Sequence, residues 1–127
     1  MATQHMTVAL KRVYEPVEPT DGKRVLVERL WPRGLSKARA QVDLWLKEIA
    51  PSPDLRTWYG HDPAKYAEFR RRYEAELAAS PAQAALAKLR DLAQQEPVTL
   101  VVAAHDLEHS TAPIVRELLA RDRHLPA

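Results

Sequence analysis

The stretch "VTLVVAA" at residues 98–104 is apolar at nearly every position and carries no charge. A strand with one wet face alternates apolar and polar residues, whereas an unbroken apolar run asks for cover above and below, as in a parallel or mixed sheet. A fold for this chain therefore has to place 98–104 inside a sheet and supply layers on both sides. Two further segments, "TVALKRVY" (7–14) and "KRVLVERL" (23–30), alternate closely enough to read as strands, with the breaker-rich "EPVEPTDG" between them.

Helical patterns fill the remainder. Ser36 is positioned to cap a helix whose Val42, Trp45, Leu46 and Ile49 recur at i, i+3, i+4 and i+7, with Pro51 as its stop. "SPDLRTWY" (52–59) reads as a short helix with Ser52 as cap and Pro53 in the first position. Asp62 and Pro63 repeat that start for a longer helix with Tyr66, Phe69, Tyr73 and Leu77 along one face. Ser80 and Gln83 have capping-box spacing ahead of a third helix that leads into the 98–104 strand. Ser110 or Thr111 caps the last, which carries Ile114, Val115, Leu118 and Leu119, with Arg121 and Arg123 at its negative end. The expected architecture is α/β: a single small domain with a short, mainly parallel sheet of about three strands, flanked on both sides by about four to five helices.

With 127 residues the chain has room for one domain with a real core. Residues 7–121 are expected to form it, residues 1–6 to be a disordered or tag-derived segment (His5-Met6 resembles a cloning scar), and residues 122–127 to be a tail. There is no cysteine, hence no disulfide, thiolate nucleophile or Cys-based zinc site, in keeping with a reducing cytoplasm. No apolar run approaches the ~18 residues of a membrane span, so the expected address is cytoplasmic, with no membrane partner. Lys and Arg number 19 against 17 for Asp and Glu, too even a balance to point to nucleic acid by net charge. Basic residues do cluster in the first third, which leaves a local anion site open.

In open α/β sheets, ligands gather beyond the carboxyl ends of parallel strands. Two strand ends here carry unusual residues: Arg29, Trp31, Pro32, Arg33 and Gly34 after the second, and His105, Asp106, Glu108, His109 and Ser110 after the third. Arginine suits an anion through its planar, permanently charged fork. Arg33 reads either as an anion contact or as a surface partner of Asp43 or Glu48. Alternation puts Arg29 on the face of Val25 and Val27, where it needs a partner such as Asp106, functional or structural. Asp106 and His109 read as an acid/base pair, the carboxylate orienting the imidazole, or as a simple helix start. His61, beside Asp62, is a second proton-transfer candidate or a turn residue.

"HDLEH" (105–109) matches the H-x-x-E-H string of certain zinc proteases, but it follows a strand directly and lacks a third ligand, so no metal is expected. With three glycines there is no Gly-rich phosphate loop, and no cofactor is expected.

"LKRVYEP", "DGKRVLVERLWPRGLSK", "DLWLKEIAPS", "LRTWYGHDPAKYAEFRRRYEAEL" and "PVTLVVAAHDLEHSTA" together resemble the YeaO-like proteins of the bacterial domain-of-unknown-function family DUF 488, over residues 8–119. The R-L-W-P-R-G block, the W-x-x-H-D-P block and the final D-x-x-H occur in order. The resemblance picks out Arg29, Trp31, Arg33, His61, Asp106 and His109 as family-type positions, while His105 and Ser110 depart from its pattern. It also implies that the first two strands are parallel, with "PVEPTDG" a shortened crossover, and that 98–104 is interior.

Two functions of different class follow. The chain is a small enzyme acting on an anionic, phosphorylated or nucleotide-like metabolite, with Arg29 and Arg33 on the anion, Trp31 as a wall and His109, Asp106 and His61 moving protons. Alternatively, it is a non-catalytic regulatory module that uses the same basic pocket for a ligand or nucleic acid.

Overall fold

The computed structural model describes residues 7–122. It contains a four-stranded parallel sheet in the order β1-β4-β2-β3, with β1 at Val8–Arg12, β2 at Lys23–Leu26, β3 at Leu44–Trp45 and β4 at Val98–Val102. β4 is buried at every position and lies between β1 and β2, as its unbroken apolar sequence requires. Val8 sits opposite Val98 on one side of β4, and Val25 opposite Leu100 on the other. β1 and β2 are parallel without being neighbours, and the segment between them contains only the short 3-10 turn Pro19–Asp21. It closes at Gly22, whose φ of +63° favours glycine and where a Cβ would come within 2.3 Å of the Pro97 carbonyl oxygen.

The alternating faces of the strands have unequal cover. Val25, Val27, Val98, Leu100 and Val102 pack against α2 (Pro53–Tyr59), α3 (Tyr66–Leu77), α4 (Ala82–Gln95) and α5 (Thr111–Asp122). Leu26 and Val101 point the other way, to a small cluster with Val13 and Ala40. That second face carries only the four-residue helix α1 (Lys37–Ala40) and loop residues Trp31, Leu35 and Val42, with Trp45 of β3 beside them. Instead of helices on both sides, all the longer helices occupy one.

The fourth strand is a departure from the sequence reading, which placed Val42, Trp45, Leu46 and Ile49 on one helix. Ser36 does cap α1, accepting from the Arg39 N–H at 3.2 Å, but Gln41 turns left-handed (φ 47°) and ends it. Asp43 then bridges to β2 twice: its N–H donates to the Arg24 carbonyl and its carboxylate accepts from the Arg24 N–H, both at 2.8 Å. This pulls Leu44–Trp45 into the sheet. The helical spacing was real but served two surfaces, since Val42 and Trp45 pack on the second face while Leu46 and Ile49 pack with the large core.

Caps at Ser52, Asp62 and Ser110 form as expected, accepting from the N–H groups of Leu55, Ala64 and Ala112 at 3.2, 3.0 and 3.3 Å. Asp62 opens a 3-10 turn (Pro63–Lys65) that runs into α3. The Ser80/Gln83 capping box does not form. α4 begins after Pro81 without a side-chain cap, and the Gln83 N–H donates instead to the Ala79 carbonyl at 2.9 Å. Residues 1–6 and the tail from residue 123, Arg123 included, lie outside the described residues, and α5 extends to Asp122. Among the described residues no helix is long and apolar enough to cross a membrane.

Candidate functional site

At the carboxyl edge of β2 and β4 a cavity of about 590 Å³ opens on the helix-covered face. Its floor includes Tyr59, Phe69, Ala103 and Ala104, and its polar walls are Glu28, Arg29, Arg56, His61, His105 and Asp106. Ser110 and Thr111, at the start of α5, complete one side. This is where a parallel sheet parts its flanking connections.

The loop leaving β2 supplies Glu28 and Arg29. Glu28 is held at both ends: its carbonyl accepts from Trp45 Nε1 at 2.6 Å, and its carboxylate accepts from the Ala103 N–H at 2.8 Å. Burial pushes its pKa up, opposed by the Ala103 hydrogen bond and by the neighbouring Arg56 and His61 side chains. Arg29 donates from Nε to the Pro51 carbonyl at 3.3 Å and from Nη2 to the Ala50 carbonyl at 3.1 Å, fixing the approach to α2. α2 presents Arg56, and its left-handed end at Gly60 (φ 55°) continues into His61 (φ 57°). Two successive left-handed residues turn the chain sharply and set the exposed imidazole on the cavity wall.

The loop leaving β4 is organised by Asp106. Its carboxylate accepts from the His109 N–H at 3.2 Å and lies 2.7 Å from His109 Nδ1, closing the 3-10 turn Leu107–His109. The side-chain bond to His109, working against desolvation, holds the Asp106 carboxyl below its usual range. The backbone here is pinned from α2 and α3. The Tyr59 hydroxyl donates to the His109 carbonyl at 2.6 Å, and the Tyr66 hydroxyl to that of Ser110 at 2.9 Å. Burial pushes the Tyr66 phenol up to about 12, and Tyr59 upward as well, so both remain hydrogen-bond donors near neutrality.

Of the residues singled out by sequence, Arg29, His61 and Asp106 line one cavity. His109 is attached to it through Asp106 but is not part of its wall, and its ring stands edge-on to Tyr66 at 5.1 Å. Arg29 and Asp106 do not pair with each other, since one holds carbonyl groups and the other His109. Trp31 packs on the opposite face of the sheet, edge-on to Trp45 at 5.3 Å, with its Nε1 donating to the Leu35 carbonyl at 2.6 Å. Arg33 is exposed outside the cavity lining, and its carbonyl accepts from the Tyr14 hydroxyl at 3.1 Å.

Glu28 and Arg56 were missed. Glu28 had a signal, a carboxylate at the end of an apolar strand beside Arg29. Arg56, one cation among many on short helices, had none. No group of three His, Cys, Asp or Glu side chains among the described residues is placed to hold a metal ion. Within "HDLEH" only Leu107–His109 is helical, as a 3-10 turn.

Residues 7–125 match the family DUF488-N3i, described as the inactive DUF488-N3 subclade. Uncharacterised proteins of Mycobacterium tuberculosis and Mycobacterium bovis are 46% identical over 112 residues, covering 88% of this chain and 92% of each relative. The uncharacterised protein YeaO of Escherichia coli is 40% identical over 114 residues, covering 90% of this chain and 97% of its own. The resemblance to YeaO-like proteins drawn from the motifs therefore extends through the chain. No solved structure matches it.

Proposed function

As the chain belongs to the DUF488-N3i family, the inactive DUF488-N3 subclade, we propose that it is a non-catalytic binding module for a small anionic, phosphorylated or nucleotide-like metabolite. The observation that carries this reading is the composition of the cavity wall. Arg29, Arg56, His61 and His105 surround an apolar floor beside the start of α5, while His109, the imidazole paired with a carboxylate, stands outside it. Binding an anion needs only the arginines, whereas the Asp106–His109 pair could act as acid and base only with the His109 imidazole within reach of the ligand. The word "inactive" in the family's description supports the same choice.

The 2.7 Å contact between Asp106 and His109 is what favours a catalytic reading, because an oriented imidazole is the usual partner of a reacting proton. In this chain the pair also closes the Leu107–His109 turn, which accounts for it structurally.

Calorimetric titration with ribose 5-phosphate tests the proposal. Arg56→Ala should weaken binding about tenfold, the value of one charge-assisted contact, and His109→Ala should leave it within about twofold. The compound should be recovered unchanged. Turnover of a phosphorylated metabolite that disappears in His109→Ala would replace this reading with the enzyme.

A further inference from the structure

Glu28 is the one carboxylate of the cavity wall that no Lys, Arg or His side chain among the described residues pairs with at contact distance. It is half-buried, and it accepts a single hydrogen bond there, from the Ala103 N–H to Oε2. A carboxylate has two oxygens and about four acceptor sites, so three of them remain to be served in a position where water is partly excluded. The group is nonetheless held firmly, through Ala103 at its carboxylate and Trp45 at its carbonyl. A side chain fixed in place with unused acceptors next to an anion-binding wall is arranged to read donors on a ligand.

The rest of the cavity narrows the kind of donor. Its volume of about 590 Å³ falls within the range of sites for drug-sized ligands, larger than a phosphate or a simple phosphorylated amine requires. The floor is formed by Tyr59, Phe69 and two alanines, which suits a flat apolar body. Arg56 stands close enough to Glu28 for its charge to be felt there, so the anionic and donor ends of one ligand can be served together.

Resting on the anion-binding reading above, we infer that the cavity selects a phosphorylated compound whose flat ring presents two adjacent N–H donors, the edge that a guanine base offers, and that Glu28 reads this edge. A carboxylate matches such a pair of parallel donors in the way it matches the fork of arginine. Adenine lacks the ring N–H on that edge, and hypoxanthine lacks the amino group.

The probes are guanosine 5′-monophosphate, inosine 5′-monophosphate, ribose 5-phosphate and phosphoethanolamine, titrated calorimetrically into the full chain. Guanosine monophosphate should bind about tenfold more tightly than inosine monophosphate, as expected for one lost charge-assisted hydrogen bond, and more tightly than either compound without a base. Glu28→Gln keeps an oxygen for Ala103 but replaces the remaining acceptor with a donor. It should bring the guanosine-to-inosine ratio to about one. Ribose 5-phosphate should still bind at least as tightly as to the native chain, because a negative charge beside the anion has been removed. Equal affinity of the native chain for the two nucleotides, a ratio that survives Glu28→Gln, or phosphoethanolamine binding as tightly as guanosine monophosphate would each overturn the inference. If ribose 5-phosphate binds in an Arg56-dependent way with no gain from any base, this inference fails and the anion-binding function stands. If no probe binds, both fail. The nucleotide comparison on the native chain decides the matter even if the variant does not fold.

Discussion

On one face of the sheet, Leu100 and Val102 meet four helices and a core that extends through Phe69, Tyr73, Leu89 and Ile114. On the other, Val101 and Leu26 meet one turn of helix and a loop, and beside them lies a buried ionic group. Arg24, 2% exposed, donates from Nη1 to Asp21 at 2.8 Å and from Nε to the Ala40 carbonyl at 3.1 Å. Lys11 Nζ reaches the same Asp21 carboxylate at 3.0 Å, and the Thr99 hydroxyl donates to the Asp21 carbonyl at 2.7 Å. The first face is stable because it removes apolar area from water. The second has too little chain to do so, and it ties its short connections to the strands with directed bonds instead. The cavity opens on the first face, yet Glu28 on its wall is anchored from the second by Trp45.

The comparison breaks most directly at Asp21. Asp21→Ala leaves the Arg24 guanidinium buried without its carboxylate, and a loss of about 3–5 kcal/mol in unfolding free energy is expected in urea titrations. Adding Arg24→Met to Asp21→Ala should recover part of that loss, because the stranded charge goes with it. A cost under about 1 kcal/mol for the single variant would show that the second face is held by packing after all.

The same carboxylate gives the second face its own pH dependence. Burial raises the Asp21 pKa, but the hydrogen bonds from Lys11, the Glu18 N–H and Arg24 outweigh it and leave the folded value below the usual one. A group depressed in the folded state contributes stability above its unfolded pKa and loses it as pH falls through the folded one. Stability should therefore decline below about pH 4 in the native chain. Asp21→Asn, lower throughout, should decline less over the same range.

On the helix-covered face the corresponding test is a single hydroxyl. Tyr73, fully buried on α3, donates its O–H to the Ile49 carbonyl, and Ile49 is itself fully buried. Tyr73→Phe keeps the ring stacked beside Phe69 (centroids 5.7 Å apart) and strands that carbonyl, so about 1–3 kcal/mol should be lost in the same titrations. A neutral result would mean that the carbonyl finds another donor and that the core of this face does not depend on this directed bond.

How much of this was legible follows the same division. The interior place of 98–104 and the aromatic stripe of α3 rest on apolar repetition, which the sequence displays openly, whereas the parallel course of the first two strands was implied by the family resemblance and not by any pattern of residues. The second face rests on contacts between residues far apart in the chain. Asp43 reaching Arg24, Trp45 reaching Glu28 and Lys11 reaching Asp21 leave no periodic trace. Hence β3 was read as part of a helix. The cavity was half legible for a similar reason: strand ends predict where ligands collect, and Arg29 and Asp106 lie there, but which charged residue turns inward is decided by loop anchoring. Trp31 and Arg33 look like a site in the string "WPRG", yet the turn they form packs Trp31 behind the sheet.

The smallest expected change in stability tests the link between the faces. Trp45 is half-buried, and its indole N–H donates to the Glu28 carbonyl at 2.6 Å while Lys47 Nζ lies 4.3 Å from the ring centre. Trp45→Phe keeps an aromatic ring for Trp31 and Lys47 and removes only the donor, so about 0.5–1.5 kcal/mol should be lost. The more informative readout is local. With its carbonyl released, Glu28 should hold the Ala103 N–H less firmly, and the Ala103 amide should exchange with deuterium faster than in the native chain. Leu100, paired within the sheet and buried, should exchange faster only by the amount that the change in global stability allows. If Ala103 and Leu100 respond alike, Trp45 is cover for the second face and nothing more. If Ala103 accelerates beyond Leu100, the poorly covered face is what positions the carboxylate in the cavity, and the Trp45 indole has a role at the site without touching it.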